Sequence, residues 1–189
     1  MKKYKHKDYE DYKKAQISKN VRKIKLVWIN QCDINDISSN IKKHIPNAKF
    51  GICHGVRNAW EVKSFRKSLG IEVIGTEISH TANQFDNTIQ WDFHDIKDEW
   101  IDNVDFIYSN SFDHSYDPVM CLDKWMKCVK IDGVCYIHWM ITNENKIDSA
   151  DCFAATRDEY RKIFNKKYKV IDEFSSVKGR VIFAIKHRE

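Results

Sequence analysis

Five short apolar runs in this chain are each followed by polar residues that include a histidine: His54, His80, His94, His114 and His138. Imidazole titrates near neutrality, so each of these side chains can accept or return a proton under ordinary conditions. His114 is set apart by its neighbour. Asp113 precedes it within Ser-Asn-Ser-Phe-Asp-His-Ser-Tyr-Asp, and a carboxylate beside an imidazole can work as an acid–base pair. His114 is therefore the first candidate for a general base, Asp113 the second and His138 the third. Asn110 and Ser111 begin the same polar stretch and are candidates for binding rather than proton transfer.

A second group of residues has the chemistry of a nucleotide site. Gly55 follows the apolar run Phe-Gly-Ile-Cys, where the chain must turn sharply, and glycine permits both the turn and close approach of a ligand. The helix expected after it would offer free N–H groups and a partial positive charge to an anion. Glu77 comes about 20 residues later, the interval at which dinucleotide folds place the acid that takes ribose hydroxyls. Ile78 follows it directly. Asp92 and Phe93, after the third run, pair a hydrogen-bond acceptor with a ring, which suits an adenine amino group and its flat face.

These residues need elements to position them. Alternation of strand-like and helix-like segments from residue 49 onward predicts a parallel α/β sheet with right-handed crossovers. In such sheets ligands sit beyond the carboxyl ends of the strands, which is where all of these loops fall. The expected strands are KFGIC, IEVIGTEI, TIQWDF, VDFIYSNS and VCYIHWM, the last following a turn at KIDG. A final hairpin is expected from YKVIDEF and RVIFAIK. Asn58 is the expected N-cap of the helix after the first strand, with Glu61 as its box partner and Gly70 as its stop. Asp117 and Pro118 should open a second helix, and Thr156 with Glu159 should cap a third. Ile34, Ile37, Ile41 and Ile45 recur at helical spacing, predicting a helix over residues 34–45 that Pro46 ends.

Composition narrows the classes. The chain has 189 residues, 42% hydrophobic and 13% aromatic, with 6 Gly and 2 Pro, which excludes disordered and collagen-like proteins. A basic segment, residues 1–25, is expected to precede one domain over residues 26–189. That segment carries ten Lys and Arg against three acids, so the overall charge of +5 is a property of the N-terminus, and a nucleic-acid partner is possible there. The absence of an apolar run of about 18 residues argues against a membrane partner, and nothing resembles a secretory signal. The six cysteines form no C-x-x-C pair and read as free thiols of a reducing cytoplasm. A set of Cys53, His54, Cys135 and His138 does not follow zinc-ligand spacing, so no metal is expected. Oligomeric state is not legible.

Taken together, these segments resemble the class I S-adenosylmethionine-dependent methyltransferases. CHGVRNA resembles the family's (D/E)-x-G-x-G-x-G loop, with Cys53 in place of the acid and Arg57 and Asn58–Ala59 in place of the later glycines. IGTEIS resembles the strand with the ribose-binding acid, WDFHD the adenine segment, VDFIYSNSFDHSYDP the fourth strand and its downstream element, and MKCVKIDGVCYIHW the late turn and fifth strand. The resemblance implies a three-layer α/β sandwich around a seven-stranded, mostly parallel Rossmann-like sheet with an antiparallel C-terminal hairpin. It implies S-adenosyl-L-methionine as cofactor, held by Gly55, Arg57, Asn58, Glu77, Ile78, Asp92, Phe93, Asn110 and Ser111, with Arg57 able to pair with the methionine carboxylate. The implied helix over residues 34–45 would cover the sheet edge and help close that site. The implied reaction moves a methyl group to an O or N acceptor of a small molecule or sugar. Two alternatives stand beside it. A nicotinamide oxidoreductase would need G-x-G-x-x-G, which HGVRNA does not provide. A non-catalytic cofactor-binding or RNA-interaction module would fit the altered glycine loop.

Overall fold

The computed structural model describes residues 1–144 and 146–188. The chain opens with a two-residue strand β1 (Lys2–Lys3), helix α1 (Tyr9–Arg22) and helix α2 (Gln31–His44). There follow β2 (Phe50–His54), α3 (Trp60–Leu69), β3 (Glu72–Glu77), β4 (Thr88–Gln90), β5 (Val104–Ser109), α4 (Pro118–Cys128) and β6 (Val129–Met140). The chain closes with β7 (Phe153–Ala154), α5 (Arg157–Lys167), β8 (Lys169–Phe174) and β9 (Arg180–Lys186).

Seven strands form one sheet in the order β4-β3-β2-β5-β6-β9-β8. The first five run parallel, and β9 is antiparallel to both β6 and β8. This is the expected sheet, including its C-terminal hairpin. Alternation along the strands separates two cores. Ile52, Ile107, Cys135 and Ile137 face α4 and α5 with Trp125, Phe112 and Phe164. Cys53, Phe106, Tyr108, Val134 and Tyr136 face α2 and α3 with Ile34, Ile37, Ile41, Val62 and Phe65. Three layers result, because a parallel sheet must be covered on both faces. The switch point lies between β2 and β5, where strand order reverses.

Several local signals act as expected. Asp117 accepts from the N–H groups of Val119 and Met120 with Pro118 at the first helical position. Thr156 and Glu159 form a complete capping box, and Gly70 ends α3 in the left-handed conformation. Others differ. The N-cap of α3 is Ala59, and the Asn58 side chain donates instead to the carbonyls of Ile24 and Leu26. Helix α2 begins earlier than the isoleucine pattern suggests, because Asn30 and Asp33 make a capping box. It covers a sheet face, beside α3, rather than an edge, because its isoleucines are needed in that core. Strand β6 runs through the expected turn at residues 130–133, the extra length being absorbed by a register shift against β5.

The segment before α2 is also ordered by packing. Strand β1 pairs antiparallel with β7, and α1 lies over the carboxyl ends of the parallel strands. Its buried residues are Tyr12, Gln16 and Asn20, one turn apart along a single face. Tyr12 is 1% exposed and packs edge-on against His94, with Tyr9, His6 and Tyr116 around it. No helix among the described residues is long and apolar enough to cross a membrane.

Candidate cofactor and acceptor cleft

A cleft opens at the carboxyl ends of β2, β3, β4 and β5. Its wider part has a volume of about 440 Å³, and a narrow extension of about 50 Å³ runs beneath α1. Gly55, Arg57, Ser111 and His114 lie at the junction and line both parts.

The loop after β2 explains how this chain retains a glycine-type turn with one glycine. Gly55, Arg57 and Ala59 have φ of 72°, 47° and 56°. Left-handed backbone therefore recurs at every second residue, the spacing of the glycines in the loop that this segment resembles. The shape is kept, at a strain of about 1–3 kcal/mol for each non-glycine residue. At Gly55 no side chain fits, because a Cβ would lie 2.8 Å from the Ser111 side chain.

Glu77 ends β3 and is nearly buried. Its Oε2 accepts from the Arg57 N–H at 2.9 Å and its Oε1 from the Ser79 N–H at 3.1 Å. Burial outweighs these donors and raises its carboxyl above the ordinary range. An ionised carboxylate has about four acceptor positions, so two remain for a ligand. Asp92 is more heavily engaged. Its Oδ2 accepts from the Tyr9 hydroxyl at 2.8 Å, and its Oδ1 takes both His94 N–H groups at 3.0 Å. Burial opposes ionisation of Asp92, but the His94 and Tyr9 hydrogen bonds prevail and lower its carboxyl. Ile78, Asp92 and Phe93 line the narrow part, and Asn58, Asn110 and Asp113 line the wide part.

The wide part also holds an ionisable group that was not expected there. Glu61, in the first turn of α3, is buried, and desolvation raises its carboxyl to about 8 against the opposing pull of Arg57. The Arg57 Nη1 donates to the Leu26 carbonyl, whereas its Nε is buried with no hydrogen-bond partner among the described residues. Leu26, Val27, Trp28 and Ile141 form an exposed apolar rim.

Of the five loop histidines, His114 is the one in the cleft lining. Its Nε2 lies 3.9 Å from Asp113 Oδ1 and 3.7 Å from Asp151 Oδ1. Burial raises the Asp113 carboxyl, with His114 opposing. Asp151 is lowered despite burial, chiefly by Lys146, then by His114 and Lys19. His138, the third candidate base, is not brought to the cleft. It is 5% exposed, its Nδ1 is 3.3 Å from the Tyr108 hydroxyl, and burial lowers its pKa to about 3. His54 stacks on Trp125, bonds to Thr76 and is likewise lowered to about 3 by burial. His94 bridges Asp92 and the Tyr116 N–H, and His80 is exposed. Cys53 and Cys135 are buried with raised thiols. Sequence reasoning missed Tyr12, Gln16, Lys19, Asn20, Glu61 and Asp151. The signal for Tyr12, Gln16 and Asn20 was their i, i+4, i+8 spacing.

No family model and no curated protein matches the sequence. Solved structures do match the fold. The Burkholderia thailandensis 1,6-didemethyltoxoflavin-N1-methyltransferase, solved with 1,6-didemethyltoxoflavin and S-adenosylhomocysteine, superposes with a TM-score of 0.76 at 10% identity, over 98% of this chain and 93% of its own. Streptomyces venezuelae DesVI gives 0.66 at 14% identity, over 98% and 100%. The sugar N-methyltransferase KedS8 from Streptoalloteichus gives 0.63 at 9% identity, over 83% and 87%. The chain thus has the class I methyltransferase fold.

Proposed function

We propose that this chain is an S-adenosylmethionine-dependent methyltransferase that methylates an oxygen or nitrogen of a small molecule or sugar. The observation that carries the reading is the convergence of Gly55, Arg57 and Glu77 on one cleft at the switch point, with His114 lining both of its parts. The solved neighbours include an N-methyltransferase bound to S-adenosylhomocysteine and a sugar N-methyltransferase, which supports the same cofactor and acceptor class here.

The residues fit the cofactor by type and position. Glu77 would take the ribose hydroxyls through its two open acceptor positions. Phe93, Asp92 and Ile78 would flank adenine. Arg57, whose buried Nε has no partner among the described residues, would take the methionyl carboxylate, and Glu61 the ammonium. Asn110 and Ser111 would bound the sulfur end. The bound cofactor supplies an electrophilic methyl on a positively charged sulfur. The protein's own contribution is to hold the acceptor in line, which can lower the barrier by about 7–11 kcal/mol, and to take the proton of a hydroxyl acceptor on His114.

The test is calorimetry with S-adenosylhomocysteine and with NADH, followed by methyl-transfer assays on phenols, amines and amino sugars. Saturable binding of the first compound alone, with transfer to one acceptor class, is expected. Binding of NADH instead, or binding without transfer to any acceptor, would overturn the reading.

A further inference from the structure

We propose that Gln16, on the helix that roofs the cleft, is a positioning residue that fixes the tautomer of His114 and so makes Nε2 the atom that accepts the proton. This rests on the proposed methyltransferase reading for its reaction, but not for its structural content.

Gln16 Nε2 lies 2.8 Å from the Ala150 carbonyl oxygen and 3.3 Å from Cys152 Sγ. A carbonyl only accepts, so this end of the side chain must be the NH₂ group. The other end, Oε1, is an acceptor and lies 3.2 Å from His114 Nδ1. Nδ1 must therefore carry a hydrogen. In the neutral ring Nε2 is then the bare nitrogen, and it lies 3.9 Å from Asp113 Oδ1 and 3.7 Å from Asp151 Oδ1, two residues that line the wide part of the cleft with it.

As the acceptor hydroxyl attacks, its O–H bond breaks with both electrons left on oxygen, and a new N–H bond forms at Nε2. The imidazolium produced keeps its Nδ1–H on Gln16 and has two carboxylates within 4 Å of Nε2. The proton returns to water once product leaves. The charged groups around the ring come from four elements. Asp113 lies in its own loop, Glu77 ends β3, Lys19 is on α1, and Lys146 and Asp151 belong to the segment after β6. Gln16 is the uncharged contact among them, so it sets proton placement without setting charge.

The experiment is a long-range proton–nitrogen spectrum of the histidine rings in uniformly nitrogen-15-labelled protein without ligand, at a pH where His114 is neutral, for wild type and Gln16→Leu. The expected wild-type ring has a protonated Nδ1 and a bare Nε2. In Gln16→Leu the ring should revert toward the Nε2–H form. Its kcat should fall about tenfold or more. A wild-type ring protonated at Nε2 would overturn the proposal, and so would a Gln16→Leu enzyme of unchanged kcat. The wild-type spectrum decides the matter even if the variant does not fold. Failure of S-adenosylhomocysteine to bind would instead count against the methyltransferase reading, whatever the spectrum shows.

Discussion

The backbone N–H of Arg57 donates to Glu77 Oε2 at 2.9 Å, tying the loop after β2 to the tip of β3. One bond thus joins the left-handed turn that shapes the cleft to the carboxylate expected to grip the ribose. It also orients Glu77 before any ligand arrives, so little ordering remains to oppose binding.

Replacing Glu77 by alanine should weaken S-adenosylhomocysteine binding by about 10- to 100-fold, the value of hydrogen bonds to a charged acceptor. Calorimetry on wild type and variant checks this. Thermal melting should also show a modest loss, because the Arg57 and Ser79 N–H groups lose their partner.

Ala59 caps α3 at a φ of 56° where glycine would be unstrained. Ala59→Gly should stabilise the fold by about 1 kcal/mol, or about 2–4 °C in melting temperature. A lower melting temperature would show that this turn is not strained.

Glu61 should make stability and binding depend on pH. Its folded carboxyl titrates at about 8, above the ordinary 4.5. The folded state therefore holds the proton more tightly, and stability falls as pH rises from the ordinary value to about 8. Glu61→Gln should melt above wild type at pH 8, with the gap closing toward pH 5. If Glu61 takes up a ligand ammonium as carboxylate, cofactor binding at pH 7 must release a proton, seen as a binding heat that varies with buffer ionisation enthalpy.

His114→Ala should cut methyl transfer to a hydroxyl acceptor by about 10²- to 10⁴-fold while leaving cofactor affinity within a few-fold. His138→Gln should leave transfer nearly intact, since that ring is sealed beside Tyr108 away from the cleft. Steady-state kinetics alongside calorimetry separates the two effects, and a large loss of affinity in His114→Ala would move this side chain to the cofactor site.

The sheet was legible because its strands are short apolar runs punctuated by Gly55, Gly70 and Pro118, each at a turn or cap that demands it. The candidate cofactor residues were legible for the same reason, since they follow strand ends. Helix α1 was not. It buries Tyr12, Gln16 and Asn20, a polar face that hydrophobic periodicity does not register. The expected box of Asn58 and Glu61 failed because Asn58 is drawn to the Ile24 and Leu26 carbonyls, leaving Glu61 to face the cavity. His138 shares its residue type with His114, but strand alternation carries it inward, where burial keeps it neutral.

The most direct test is a crystal structure of the protein with S-adenosylhomocysteine. The account requires the ribose hydroxyls on the Glu77 carboxylate, adenine beside Phe93 and the amino-acid end between Arg57 and Glu61. Density for the compound elsewhere, or a cleft filled with the ribose turned away from Glu77, would contradict it.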